Sequence, residues 1–226
     1  MNSVLTDFQT RSTEVESYFQ FVRSLAEGTL EVRTPGSVTP LPNNQHEELL
    51  KTLKASCYLL LYNLVESTMR NLVEAIFEDF KSNEVRFDGC RSELKRLVLG
   101  NFRRRNMDKL MPKLLDLAKD VVTETFDKEE MFAGNLDARM IRETAERFGF
   151  AAPPTGQGWK LVTVKNARND LAHGVKSFAE VGRDASASDL ENARIQAVEI
   201  LTTAITNVTA YLQNHEYLDT TIVVSS

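Results

Sequence analysis

The stretch Leu60-Leu61-Tyr62-Asn63-Leu64-Val65-Glu66-Ser67-Thr68-Met69-Arg70-Asn71-Leu72-Val73 lies inside a run from Gln45 to Ser82 that contains neither proline nor glycine. Its apolar residues recur at three- and four-residue steps, the period of a helix. One stripe runs through Leu50, Leu53, Cys57, Leu60, Leu64 and Leu72. A second, on roughly the opposite side, runs through Tyr58, Tyr62, Met69, Val73, Phe77 and Phe80. A helix that is apolar on two faces is sandwiched. It is either the centre of a bundle, or it keeps one face for another subunit, as symmetric dimers reuse one patch. Glu66 and Arg70 lie at the edge of the second face, four apart, and form either an i,i+4 ion pair or a carboxylate and guanidinium that support an active site.

Upstream, Val4, Leu5, Phe8, Val15, Tyr18, Phe19, Val22 and Leu25 predict a helix over 3–27, stopped by Gly28, and Pro35 to Pro42 predict an exposed connection. Downstream the pieces shorten. Residues 91 to 113 hold Arg91, Lys95, Arg96, Arg103, Arg104, Arg105, Lys109 and Lys113 against Glu93 and Asp108, so eight minus two leaves a local charge of +6. Arg103, Arg104 and Arg105, with Phe102 beside them, can seat a phosphate backbone, or they are a solvated face balanced by acidic helices elsewhere. Pro112 is placed to open a helix through about Thr123, and Gly134-Asn135-Leu136-Asp137 to cap another that Gly149 closes.

After the loop from Ala151 to Gly158, a helix is predicted from near Trp159 to His173, with Leu161, Val164, Ala167 and Leu171 inward. Residues 174–187 read as a connection. Ser188-Asp189-Leu190-Glu191 fits a capping box for the last helix, and His46 and His215 read as surface residues. Only the tail from Thr220 to Val224 alternates like a strand. The expected fold is all-α: an up-and-down helical bundle with additional short helices inserted before the 159–173 helix. The expected organisation is a single domain over 1–226: helix and linker 1–43, long central helix 44–82, basic and short-helix insertion 83–158, and the last two helices over 159–215.

Composition narrows the functions. The chain has 42% apolar and 26% charged residues and a net charge of −5. A nucleic acid would therefore meet a local basic patch, not a uniformly basic surface. Cys57 and Cys90 are too few for a disulfide framework and lack metal-ligand spacing, which suits a reducing cytoplasm with no metal or other cofactor. The N-terminus lacks the pattern of a signal peptide, and no apolar run approaches the ~18–20 residues needed to span a membrane.

The densest chemistry is Arg168-Asn169-Asp170-Leu171-Ala172-His173-Gly174. It places a guanidinium, an amide, a carboxylate and an imidazole at one helix end. Arginine grips a phosphate through a fixed fork of donors, and histidine moves protons near neutrality. On a helix Asn169 and His173 lie about 40° apart, whereas Arg168 and His173 diverge by about 140°. The arginine must therefore reach around.

This string resembles the motif of the HEPN family, helical-bundle domains of which many are ribonucleases. The family pattern is Arg, often a polar residue next, and a His after a spacer of about four to six residues, matched here by Arg168, Asn169 and His173. The motif's place before the final long helix, the upstream Leu60, Leu64, Glu66 and Arg70, and the 134–149 segment extend the likeness over most of the chain. The resemblance implies a homodimer whose motif helices face each other over one cleft for RNA. In it Arg168 holds the scissile phosphate, Asn169 orients the site and His173 acts as general base or acid, with Asp170, Glu66 and Arg70 in support. It implies a metal-independent endoribonuclease for single-stranded or tRNA-like RNA, and a toxin–antitoxin or phage-defence setting with an antitoxin partner. The alternatives are a non-catalytic HEPN-like module that binds RNA or protein, and a plain helical interaction protein in which Asp170 pairs with Arg168 and a carbonyl holds His173.

Overall fold

A computed structural model describes residues 1–104, 132 and 135–219, with only the backbone at 101–104. Seven α-helices are described: α1 (Asn2–Ala26), α2 (Asn43–Ser82), α3 (Ser92–Arg104), α4 (Ala138–Phe148), α5 (Leu161–Ala172), α6 (Phe178–Asp184) and α7 (Ala187–Gln213). Among the described residues there is no strand, only two isolated bridges, Arg33 with Pro40 and Cys90 with Leu218. The architecture is all-α.

The central helix is α2, which packs against α1, α5, α6 and α7. Its directions relative to its neighbours follow from cross-links. Tyr18 Oη donates to the Leu53 carbonyl at 3.2 Å, while Asn71 Nδ2 donates to Asp7 Oδ2 at 2.9 Å, so α1 and α2 run antiparallel. Lys54 Nζ donates to the Ala185 carbonyl just before α7, and the Phe80 ring meets Tyr217 just after it, which makes α2 and α7 parallel. Along α5 and its N-terminal approach, Gly158 N–H reaches Gln196 and Lys160 reaches Asp189, so α5 descends against α7. α1, α2, α5 and α7 therefore alternate as an up-and-down bundle.

Both apolar stripes of α2 are consumed inside this bundle. Cys57, Leu64 and Leu72 are buried, and so are Tyr58, Tyr62, Met69, Val73, Phe77 and Phe80. The face holding Tyr62, Met69 and Val73 is therefore not a free subunit surface, because all three are already buried within one chain. Leu60 departs from its predicted stripe and is exposed.

Two details at the 174–187 stretch correct the expectation of a plain connection. Residues 178–184 form α6, opened by a capping box in which Ser177 accepts from Glu180 N–H and Glu180 accepts from the Ser177 backbone. The helix lies so close to α2 that a Cβ on Gly182 would sit 1.8 Å from the Lys51 carbonyl oxygen. Only a residue without a side chain permits that crossing. The cap of α7 is Ser186, whose hydroxyl accepts from Asp189 N–H at 3.0 Å, and not Ser188. Glu191 is engaged instead with Arg194 at 2.7 Å. The expected helix from Pro112 and the tail strand from Thr220 lie outside the described residues.

Candidate active site

Helix α5 is anchored by Leu161 and Val164, which are buried, and by Ala167 and Leu171, which are half-buried against the core. Its opposite side, Val162, Asn166, Ala172 and His173, faces outward. Trp159, expected to begin the helix, precedes it and is exposed. His173 is the C-cap: its backbone N–H donates to the Asn169 carbonyl at 3.0 Å. Gly174 then turns the chain at φ +66°, a left-handed conformation that ends the helix one residue after the imidazole. His173 is exposed, and no described residue forms a hydrogen bond with its ring.

Arg168 is placed differently. It is half-buried, its guanidinium carbon lies over the Tyr62 ring 4.7 Å from the centroid, and its Nη1 donates to Asn169 Oδ1 at 2.9 Å. No carboxylate among the described residues forms an ion pair with it. Asp170 does not, because its carboxylate is taken by Lys176 at 2.9 Å. Glu66 does not, because Arg70 occupies it at 2.7 Å through Nη2, with Nε at 3.2 Å. The guanidinium thus has one face on an aromatic ring and one donor fixed by the neighbouring amide, which leaves its Nε and Nη2 donors for an anion.

The platform under Arg168 is itself tied down. Tyr62 is buried, and its hydroxyl accepts from the Leu136 backbone N–H at 3.3 Å. Burial pushes the Tyr62 phenol up, while the Leu136 N–H and the nearby Arg168 and Arg70 pull it the other way; Glu66 adds to the rise. The next residue, Asp137, caps α4 by accepting from Met140 N–H at 3.1 Å, and its other oxygen meets Lys165 Nζ at 2.6 Å. Burial alone would raise the Asp137 carboxyl, but Lys165 and the Met140 N–H outweigh it and hold the group below the usual carboxylate range. Leu136 and Asp137 therefore clip α2 and α5 together beside the arginine.

Of the residues singled out in the sequence, Arg168 and Asn169 are in contact, and Tyr62 places the Glu66–Arg70 pair on the same side of α2. Asp170 is bonded away from both arginines. Arg103 and Arg104 end α3, but their side chains and the whole of Arg105 lie outside the described residues. A cavity of about 900 Å³ opens elsewhere, between the start of α1 and the ends of α2 and α7. Its described wall carries Asp7, Glu74, Glu78 and Asp79 but no lysine or arginine, a poor host for a phosphate chain. Among the described residues no group of three or more His, Cys, Asp or Glu is placed to hold a metal ion, and no helix is long and apolar enough to cross a membrane.

The model of the MAE_28990-like HEPN family matches residues 1–217, from α1 to just past the end of α7. The chain belongs to the HEPN family. No curated protein and no solved structure matches it. In this HEPN chain two partners of the motif, Tyr62 and Lys176, and the Asp137–Lys165 pair that braces its helix were not read from the sequence. Tyr62 was visible only as one apolar member of a stripe, and nothing local connects it to an arginine on another helix. Lys176 follows the motif closely enough that a charge-pair reading of Asp170 with it was available.

Proposed function

We propose that this HEPN chain is a metal-independent endoribonuclease that cuts single-stranded or tRNA-like RNA at the surface carrying Arg168, Asn169 and His173. One observation carries the reading: within one helix end, an arginine has no carboxylate partner among the described residues and is oriented by its neighbour's amide, while the histidine is exposed with no described residue bonded to its ring. The plain interaction-protein reading needed the opposite, Arg168 paired with Asp170 and His173 bonded to a carbonyl.

RNA carries its own nucleophile. The 2′-hydroxyl attacks the adjacent phosphorus, the 2′-oxygen–phosphorus bond forms and the bond to the 5′-oxygen breaks. A 2′,3′-cyclic phosphate and a 5′-hydroxyl result. The His173 imidazole accepts the 2′ proton, and the leaving oxygen takes a proton from a second imidazole or from water. Arg168 stabilises the charge on the non-bridging oxygens, where a fixed donor fork is most effective. Asn169 keeps that fork aimed. DNA, without the hydroxyl, is spared.

A second imidazole is supplied by pairing two copies. Because the Tyr62–Met69–Val73 face is buried within one chain, the pairing surface in this proposal is the outer side of α5, with Val162, Asn166 and Ala172 flanking His173. The cytoplasm, from the use of only two cysteines, and a toxin–antitoxin or phage-defence system with an antitoxin partner, from family analogy alone, complete the proposal. The deciding experiment incubates purified protein with RNA and excess chelator. Cleavage that survives chelation, leaves cyclic phosphate ends and disappears in Arg168→Ala and in His173→Ala is the expected result. A folded dimer that binds RNA and leaves it intact would instead identify a non-catalytic binding module.

A further inference from the structure

We propose that Tyr62 is the positioning residue of the site: its ring lies under the Arg168 guanidinium and limits its swing, and its hydroxyl, held by the Leu136 N–H, helps to fix the far end of the ring. The inference rests on the ribonuclease reading for its effect on rate, but its structural half stands independently.

The geometry argues for it from three directions. The guanidinium carbon lies 4.7 Å from the ring centroid, within the range in which an aromatic face attracts a cation. Arginine has several rotatable bonds, and Asn169 fixes only its Nη1, so one hydrogen bond leaves the fork free to swing about that contact. A flat, immobile surface beneath the group removes that freedom. Tyr62 is 3% exposed, and its hydroxyl is bonded to backbone just before the Asp137 cap, so the surface is immobile. The ring also has no access to solvent from which to act on substrate directly. Its role is exerted through Arg168.

Phenylalanine at this position keeps the face and loses the hydroxyl, leucine loses the face, and ring-fluorinated phenylalanines keep the shape while draining the face of electron density. In the full-length protein, the Arg168 Nε–Hε resonance, assigned by its loss in Arg168→Lys, is expected to carry a ring-current shift in wild type and in Tyr62→Phe. That shift should collapse in Tyr62→Leu. Cleavage should stay within about threefold of wild type in Tyr62→Phe, and kcat should fall stepwise with fluorination and about ten- to a hundredfold in Tyr62→Leu. A purely structural role would not follow the electron density of a ring of constant shape. Absence of the shift in wild type, or a folded fluorinated series with unchanged kcat, overturns the proposal. If Tyr62→Leu does not fold, the fluorinated series and the wild-type resonance decide the matter. If wild type cleaves no RNA, the ribonuclease reading fails, and the resonance still tests whether Tyr62 holds Arg168.

Discussion

Replacing Asp137 by asparagine tests the clip that braces the motif helix. The amide oxygen can still accept from Met140 N–H, so the α4 cap survives, but Lys165 loses a carboxylate at 2.6 Å. Breaking a buried pair by removing one partner costs about 3–5 kcal/mol when the stranded charge stays dry. The Lys165 side chain is 17% exposed and its ammonium can recover some water, which lowers the expected loss to about 2–3 kcal/mol, or roughly 5–10 °C in Tm for a chain of this size. Adding Lys165→Met removes the stranded charge and should restore at least half of the loss, which a double-mutant cycle reads directly. The pH dependence has a definite sign. Asp137 is held below the usual carboxylate range, so its contribution is complete above the unfolded-chain value of about 3.9 and disappears as pH falls through the lower folded value. Urea unfolding followed by circular dichroism should therefore show a constant gap between wild type and Asp137→Asn from pH 5 to 8 that closes below about pH 4. A variant as stable as wild type at neutral pH, or a gap that persists into strong acid, refutes the argument.

Three further outcomes follow from other contacts. Gly182→Ala forces a Cβ to 1.8 Å from the Lys51 carbonyl oxygen, so α6 must lift from α2; a loss of at least about 3 kcal/mol is expected in thermal unfolding. Tyr211→Phe removes a buried hydroxyl that donates to the Phe148 carbonyl at 2.7 Å and should cost about 1–2 kcal/mol in denaturant unfolding, since the carbonyl is left without its donor. Reversing the charges of Arg103, Arg104 and Arg105 should weaken RNA binding and flatten its salt dependence, measured by titration at several ionic strengths, while the far-ultraviolet dichroism is unchanged. Unaltered affinity would remove those arginines from the RNA surface.

The long helices were legible because their signals are local and redundant. The 38 residues from Gln45 to Ser82 repeat the helical period many times, and the helix extends only two residues beyond its predicted start, to Asn43. Asp137 and Gly149 mark α4 by their own chemistry at both ends. Helix α6 was missed because seven residues hold too few turns to establish a period, although Ser177 and Glu180 stand at capping-box spacing. The start of α7 was misplaced because Ser186 and Ser188 both precede an acidic residue by three, and the choice between them depends on where α6 ends. At the site, Arg168 and Asn169 could be associated by adjacency. The ring beneath the guanidinium could not, since it lies 106 positions earlier and its contact depends on how α2 and α5 are packed. Whether either stripe of α2 was kept for another subunit was undecidable for the same reason: periodicity marks both faces as apolar without saying what covers them.

The outward placement of Ala172 and His173 separates what makes this molecule fold from what would make it react. Neither side chain fills the interior, so exchanging one disturbs stability by about half a kcal/mol or less. A lineage could therefore lose the proposed chemistry in a single step and keep the scaffold intact, which gives a physical reason for enzymes and inert binders to coexist on one architecture. In the laboratory the same separation makes His173→Ala a clean test of the proposed chemistry, because a loss of cleavage in it cannot be blamed on collapse.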